Sequence, residues 1–327
     1  MNTKYNDIFD TLIKAYYNDN FDETLNMIIT CHEISPQDTF KVITSLCGVD
    51  IEFDNNYLSN LKKAISNYII TNNIVTKVRE CKKNCKTDSN NKHMCETICP
   101  FDAIIYDYIK SDTYINSEKC IHCGKCVDAC KCGNIIDKIE FIPILNLIKN
   151  NQIVVAAIDS SIISSFGSNV SIDKLRTSFK RIGFTDMIEV LSYSDIGSVK
   201  EPNKFNKKVD IIDNSMITSY SCPIVNEMIE KCYKDLTERV STSIAPIMAT
   251  GIIIKKLNPQ AKVVFVGSSI FNKIEAQEKD LSEYIDFVLT FEEVNEIFNT
   301  LNIILWKLFK YYKNTLFIKL ILIKDYF

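Results

Sequence analysis

The stretch Cys120-Ile-His-Cys123-Gly-Lys-Cys126-Val-Asp-Ala-Cys130 constrains this chain more than any other feature, because it spaces four cysteines as C-x2-C-x2-C-x3-C. Two-residue gaps let three thiolates wrap one iron–sulfur cube while backbone N–H groups point at its sulfurs, and the fourth cysteine reaches a second cube. Zinc knuckles have no need of three evenly spaced thiolates plus a fourth. The proline that usually follows the last cysteine is replaced by Lys131.

A partner run lies upstream as Cys81-x3-Cys85-x9-Cys95-x3-Cys99-Pro100. Taken alone, its two C-x3-C pairs could also hold zinc. Its ending, Cys99-Pro100-Phe-Asp-Ala-Ile, is the close of a ferredoxin half-motif, with the proline turning the chain away after the ligand. The two runs together predict two 4Fe-4S clusters that exchange their fourth ligands. Cys81, Cys85, Cys95 and Cys130 are expected at one, and Cys120, Cys123, Cys126 and Cys99 at the other. Cys132 is a spare: it could substitute for Cys130, but the x3 spacing favours Cys130. His122 reads as a filler or hydrogen-bond donor rather than a ligand. Lys82, Lys83, Lys86 and Lys92 crowd the first run, either solvating a loop or attracting an acidic electron partner.

The rest of the composition narrows the partners. A net charge of −3 gives no basic surface for nucleic acid. The beginning, MNTKYNDIFDTLIKAYY, carries acids and lacks the apolar core of a secretory signal, so a cytoplasmic location is expected. In a reducing cytosol thirteen cysteines point to metal rather than disulfides.

Residues 1–75 read as a helical N-terminal domain, in which Ser35-Pro36-Gln37-Asp38 opens a helix that Gly48 stops. Cys31 and Cys47 are expected there as buried free thiols. Residues 76–138 form the 2x4Fe-4S ferredoxin-type segment, and residues 139–300 alternate strand and helix. Ile153 to Ile158, Val263 to Val266 and Phe287 to Leu289 read as buried strands. Ser171 caps a helix that Gly183 ends, and Thr290-Phe-Glu-Glu293 is a capping box. The pattern predicts an α/β domain with a largely parallel sheet. Residues 301–327 form an atypical tail, apolar but broken by Lys307, Lys310, Lys313, Lys319 and Lys324, with no uncharged run near the roughly 18 residues of a spanning helix. A membrane role is therefore not expected, and the tail reads as a docking helix or an end foreign to the rest.

The dicluster segment, followed by "TSYSCP", "AKVVFVGSSIFNKIEA" and "IDFVLTFEEV", resembles the large subunit of the iron-only (FeFe) hydrogenases, in particular the hydrogenase-like ferredoxin proteins of anaerobic clostridia. The resemblance runs from roughly 76 to 300. It implies an α+β multidomain architecture: N-terminal helices, a two-cluster ferredoxin-like segment, then an incomplete, C-terminally truncated α/β domain of hydrogenase type. In that family four cysteines from three motifs hold a catalytic 4Fe-4S cube joined to a di-iron centre. By this resemblance Cys222 matches the first of those ligands, and Ser221 falls where catalytic members have a proton-relay cysteine. Lys273 and Glu275 match the second motif, whereas Ser269 stands in the ligand cysteine's place, Ser268 in the proline's and Asn272 in that of the first lysine.

No cysteine follows Cys232. With eight cysteines assigned to two cubes, Cys222 and Cys232 alone cannot supply the four ligands of a third, and Cys222 reads as vestigial. The expected function is electron transfer to or from a redox partner protein, without hydrogen chemistry. A redox-sensing module, or a hydrogenase completed by a partner chain, are the rivals.

Overall fold

The computed structural model describes residues 3–31, 34–69, 73–81, 85, 92–167, 170–190, 229, 233, 235, 246–277 and 281–305. The chain divides into two compact units, one of Met1–Gln152, Gly267–Glu278 and Phe287–Ile303, the other of Ile153–Val266, Lys279–Asp286 and Ile304–Phe327.

The first unit begins with helices α1 (Asn6–Tyr17), α2 (Phe21–Cys31), α3 (Pro36–Leu46) and α4 (Tyr57–Ser66). Their apolar faces, including Phe9, Leu12, Leu25, Phe40 and Leu61, are fully buried. Helix α3 starts as its sequence dictates: the Asp38 N–H donates to Ser35 Oγ at 3.1 Å, and Pro36 occupies a position that has no intrahelical bond to lose. Cys47 is buried as expected, but Cys31 is exposed, because it falls at the C-terminal end of α2 beyond the helix's apolar stripe.

The cysteine-rich segment is built from short pieces. Strand β1 (Val75–Lys77) enters it, followed by α5 (Met94–Ile98), β2 (Ile104–Asp107), β3 (Asp112–Ile115) and α6 (Lys125–Ala129), and β4 (Ile135–Asp137) closes it. β1 and β4 pair antiparallel, Val75 opposite Asp137, and β2 and β3 form an antiparallel hairpin with Ile104 opposite Ile115. Helix α7 (Phe141–Lys149) follows, with Phe141, Ile142 and Ile144 wholly buried.

The second unit is an α/β layer. Strand β5 (Val154–Ile158) lies between β6 (Asp186–Glu189) and β7 (Lys262–Gly267), parallel to both. Every residue of β5 is buried, as suits a strand covered on both faces. Helices α8 (Ile162–Phe166) and α9 (Ile172–Ile182) join β5 to β6, and α10 (Pro246–Leu257) precedes β7. Ser171 caps α9 by accepting the Lys174 N–H at 3.4 Å. Arg176 ties the helix to β6 through Met187 O at 3.0 Å and Asp186 at 3.5 Å. Asp286 accepts from Lys255 at 2.6 Å, Lys262 at 2.8 Å and the Val263 N–H at 2.8 Å.

The chain then returns to the first unit with α11 (Asn272–Glu275), β8 (Phe287–Thr290) and α12 (Phe291–Thr300). The capping box at Thr290 is complete. The Glu293 N–H donates to Thr290 Oγ1 at 3.2 Å and the Thr290 N–H to Glu293 Oε2 at 2.9 Å. Helix α12 packs on α1, where Asn6 Nδ2 donates to Glu296 at 3.0 Å. Among the described residues no helix is long and apolar enough to cross a membrane.

Candidate metal centres

Helix α6 and the loop before it gather one set of thiols. Burial pushes the Cys126 thiol well up, reinforced by Cys120, Cys123, Cys99 and Cys95 around it. Cys99 thus comes from the upstream run to join three cysteines of the downstream one. These four thiols share a recess with Val75, Ile104 and Ile121. The backbone is shaped to face them: the Ala103 N–H donates to Cys99 Sγ at 3.3 Å and the His122 N–H to Cys120 Sγ at 3.4 Å. Such N–H groups stabilise a thiolate once it is bound to metal. His122 sits at φ +53°. Its Nδ1 accepts the Val75 N–H at 3.2 Å. Gly124 takes φ +80°, and a Cβ there would come within 2.6 Å of Ile270 Cδ1, so the loop between ligands needs glycine.

A second set surrounds Cys85. Burial raises its thiol to about 12, helped by Cys132, Cys81, Cys95 and Cys130. Cys95 is likewise raised to about 12, by burial and then by Cys81 and Cys130. Here Cys130 crosses from the downstream run. Its Sγ accepts the Asn134 N–H at 3.2 Å, and Thr113 Oγ1 lies 3.3 Å from Cys81 Sγ. The Cys81 N–H donates to Asp112 Oδ1 at 2.8 Å. Burial works against the Asp112 charge, but hydrogen bonds from Lys77 and from the Cys81 and Thr113 N–H groups outweigh it and hold the carboxyl below its ordinary value. Cys95, Cys126 and Cys130 share one apolar core with Val75, Ile104, Val127 and Ile135.

Both sets suit iron–sulfur clusters. Soft thiols collected in an apolar setting cannot all ionise beside one another unless a cationic metal core compensates. Among the described residues no three His, Cys, Asp or Glu side chains converge as a single metal ion would require. A cube instead carries its irons on separate corners and takes ligands from around a volume.

The residues that take the positions of the second hydrogenase-like motif lie around α11 and bond to one another. Ser269 Oγ accepts the Phe271 N–H at 3.2 Å. Asn272 Oδ1 accepts the Ser269 N–H at 3.2 Å, while its Nδ2 donates to Glu275 at 2.9 Å. Lys273 is fully buried, paired with Glu293 and donating to the carbonyl of Lys138. Burial works against its charge, yet Glu293, Asp137 and Glu140 together hold the ammonium above its ordinary value. Burial raises Glu140 to about 7, against the opposing pull of Lys273, the Val288 N–H and Tyr68. That N–H lies 2.6 Å from Glu140 Oε2. Sequence reading missed this network, although Asp137, Lys138 and Glu140 inside the apolar run Ile135 to Phe141 were its visible sign. Cys222, Ser221, Cys232, Lys82, Lys83 and Lys86 lie outside the described residues.

Comparison with known proteins covers two stretches of the chain. The family described as iron only hydrogenase large subunit, C-terminal domain, matches residues 152–316, reaching into the stretch beyond 300 that the sequence reading set apart. The 4Fe-4S binding domain matches residues 113–136, which hold the downstream run. No curated protein matches. Among solved structures, one describing stepwise FeFe-hydrogenase H-cluster assembly in HydA(deltaEFG) is 21% identical, with a TM-score of 0.42 over 48% of this chain and 44% of that one. Another, concerning oxygen inactivation of an FeFe-hydrogenase, is 20% identical, with a TM-score of 0.44 over 50% of this chain and 48% of that one. An apo variant of the FeFe-hydrogenase HydA1 from Chlamydomonas reinhardtii is 21% identical, with a TM-score of 0.41 over 48% and 45%. The chain spans less than half the length of these structures. The large-subunit match covers half of the 327 residues, and the chain belongs to the iron-only hydrogenase large-subunit family.

Proposed function

We propose that the protein is a cytoplasmic iron–sulfur electron carrier, holding two 4Fe-4S clusters on a hydrogenase-related scaffold and exchanging electrons with a partner protein without producing hydrogen. One observation carries this reading. Cys99 of the upstream run shares a recess with Cys120, Cys123 and Cys126 of the downstream run, and Cys130 of the downstream run shares an apolar core with Cys95 of the upstream one, which supports an exchange of one cysteine between the two runs. That exchange is the arrangement of two-cluster ferredoxins and keeps the cubes close enough for one-electron steps. The hydrogen bonds that occupy Ser269 and Asn272 support the view that the second family motif no longer ligates iron.

Anaerobic reconstitution of the full chain with iron and sulfide tests the proposal. About eight irons per chain are expected, and Cys222→Ser should leave that number unchanged. About four irons, or stoichiometric zinc, would sink the two-cluster reading. Hydrogen evolved from reduced viologen would overturn the non-catalytic one.

A further inference from the structure

The last ligand of a run with this spacing is ordinarily followed by a proline that turns the chain away from the cluster. Here Lys131 takes that place and another cysteine comes one residue later. The backbone folds back on itself. Gly133 N–H donates to Cys130 O at 3.0 Å, closing a turn, and Gly133 takes φ +69° to complete it. The N-terminal segment clamps that turn. Lys4 Nζ donates to the Cys132 carbonyl at 2.8 Å, and Tyr5 OH to the Gly133 carbonyl at 2.9 Å. A Cβ on residue 133 would lie 2.7 Å from Lys4 Cδ and 3.0 Å from Tyr5 Cε2, so the clamp depends on glycine.

Held in this way, Cys132 packs half-buried against the core that contains Cys95 and Cys130. The first cluster's four assigned cysteines therefore have a further thiol packed on the core that holds two of them, Cys95 and Cys130.

We propose that Cys132 is an alternative fourth ligand of the first cluster, exchanging with Cys130. The inference rests on the two-cluster reading above. As Cys132 binds iron its thiol gives up a proton, and Cys130 takes one as it leaves, so the charge of the site is unchanged. The second cluster has no such reserve in its assigned set. Loss of Cys130 alone should then leave the first cube in place, with only its ligand field altered.

Iron and sulfide counts after anaerobic reconstitution of the full chain test this directly. The comparison takes wild type, Cys130→Ala, Cys132→Ala and the double variant. About eight irons are expected in the first three and about four in the double variant. The four irons of the second cube report that the chain has folded. The reduced-state electron paramagnetic resonance spectrum of Cys130→Ala should differ from that of wild type, because a different thiolate completes the cube. A fall to about four irons in Cys130→Ala with Cys132 intact would overturn the proposal, as would a double variant that keeps eight. A wild-type count near four would end the two-cluster reading and this one with it. If the alanine variant loses both cubes, Cys130→Ser with and without Cys132 repeats the comparison, and cluster retention that does not depend on Cys132 overturns the proposal.

Discussion

Replacing Lys273 by methionine should unfold the first unit more readily, and the penalty should depend on pH. The ammonium is wholly enclosed, paired with Glu293 and bonded to the Lys138 carbonyl. Removing one partner of a buried pair costs about 3–5 kcal/mol, because the other charge is left without compensation. In Lys273→Met that charge is Glu293, with Glu140 close by, and both carboxyls already stand above their ordinary values through burial. Without Lys273 they should rise further. At pH 8, where ionisation is forced, the loss should be about 4 kcal/mol. At pH 5 both carboxyls can stay protonated, and only the bond to the Lys138 carbonyl is missing, about 1–2 kcal/mol. Urea unfolding followed by circular dichroism would give the difference, with hydrogen exchange at Val288 as a local probe. Lys273→Met combined with Glu293→Gln should recover at least half of the loss at pH 8. An equal loss at both pH values, or less than about 1 kcal/mol at pH 8, would refute the reasoning.

Glu140 also gives the wild type a pH dependence. Because burial raises its folded value from 4.5 to about 7, its contribution is complete below about pH 4.5 and fades as pH rises through 7, by roughly 3 kcal/mol in all; Glu140→Gln should flatten the stability profile across that window. Cys99→Ala should remove about four irons, and the spectrum that survives should match that of Cys126→Ala rather than Cys95→Ala. Gly124→Ala should weaken assembly of the same cluster, since its φ of +80° and the contact with Ile270 both oppose a side chain. Iron counts at limiting sulfide would show a deficit confined to that cube.

Much of the α/β fold was legible because caps and apolar runs act locally. Ser35, Ser171 and Thr290 each accept the N–H that their position promised, and the buried strands fell within a residue or two of their apolar runs. Elements without such signals were missed. The β2–β3 hairpin turns through Asp107 to Asp112 with no glycine, relying on Asp107 to accept the Ile109 and Lys110 N–H groups. Helix α10 contains an unbroken apolar stretch whose periodicity does not separate helix from strand. At the candidate metal centres, spacing singled out eight cysteines for the proposed clusters, but it could not say which way the chain turns after Cys130. The direction depends on Lys4 and Tyr5, more than a hundred residues away. Cys31 shows the converse, since its type suggests burial while its place at a helix end leaves it exposed.

The pairing of β1 with β4 also matters for how such a chain could be assembled from parts. Val75 and Asp137 are cross-strand neighbours, and the Lys138 N–H donates to Ile74 O at 2.9 Å. The cysteine-rich segment therefore leaves and re-enters the surrounding helices at almost one point. It has the form of a plug-in cassette, whose removal would leave two ends that a short linker could join. A deletion that bridges residues 74 and 138 should keep the helical surroundings folded while discarding together all eight cysteines assigned to the clusters.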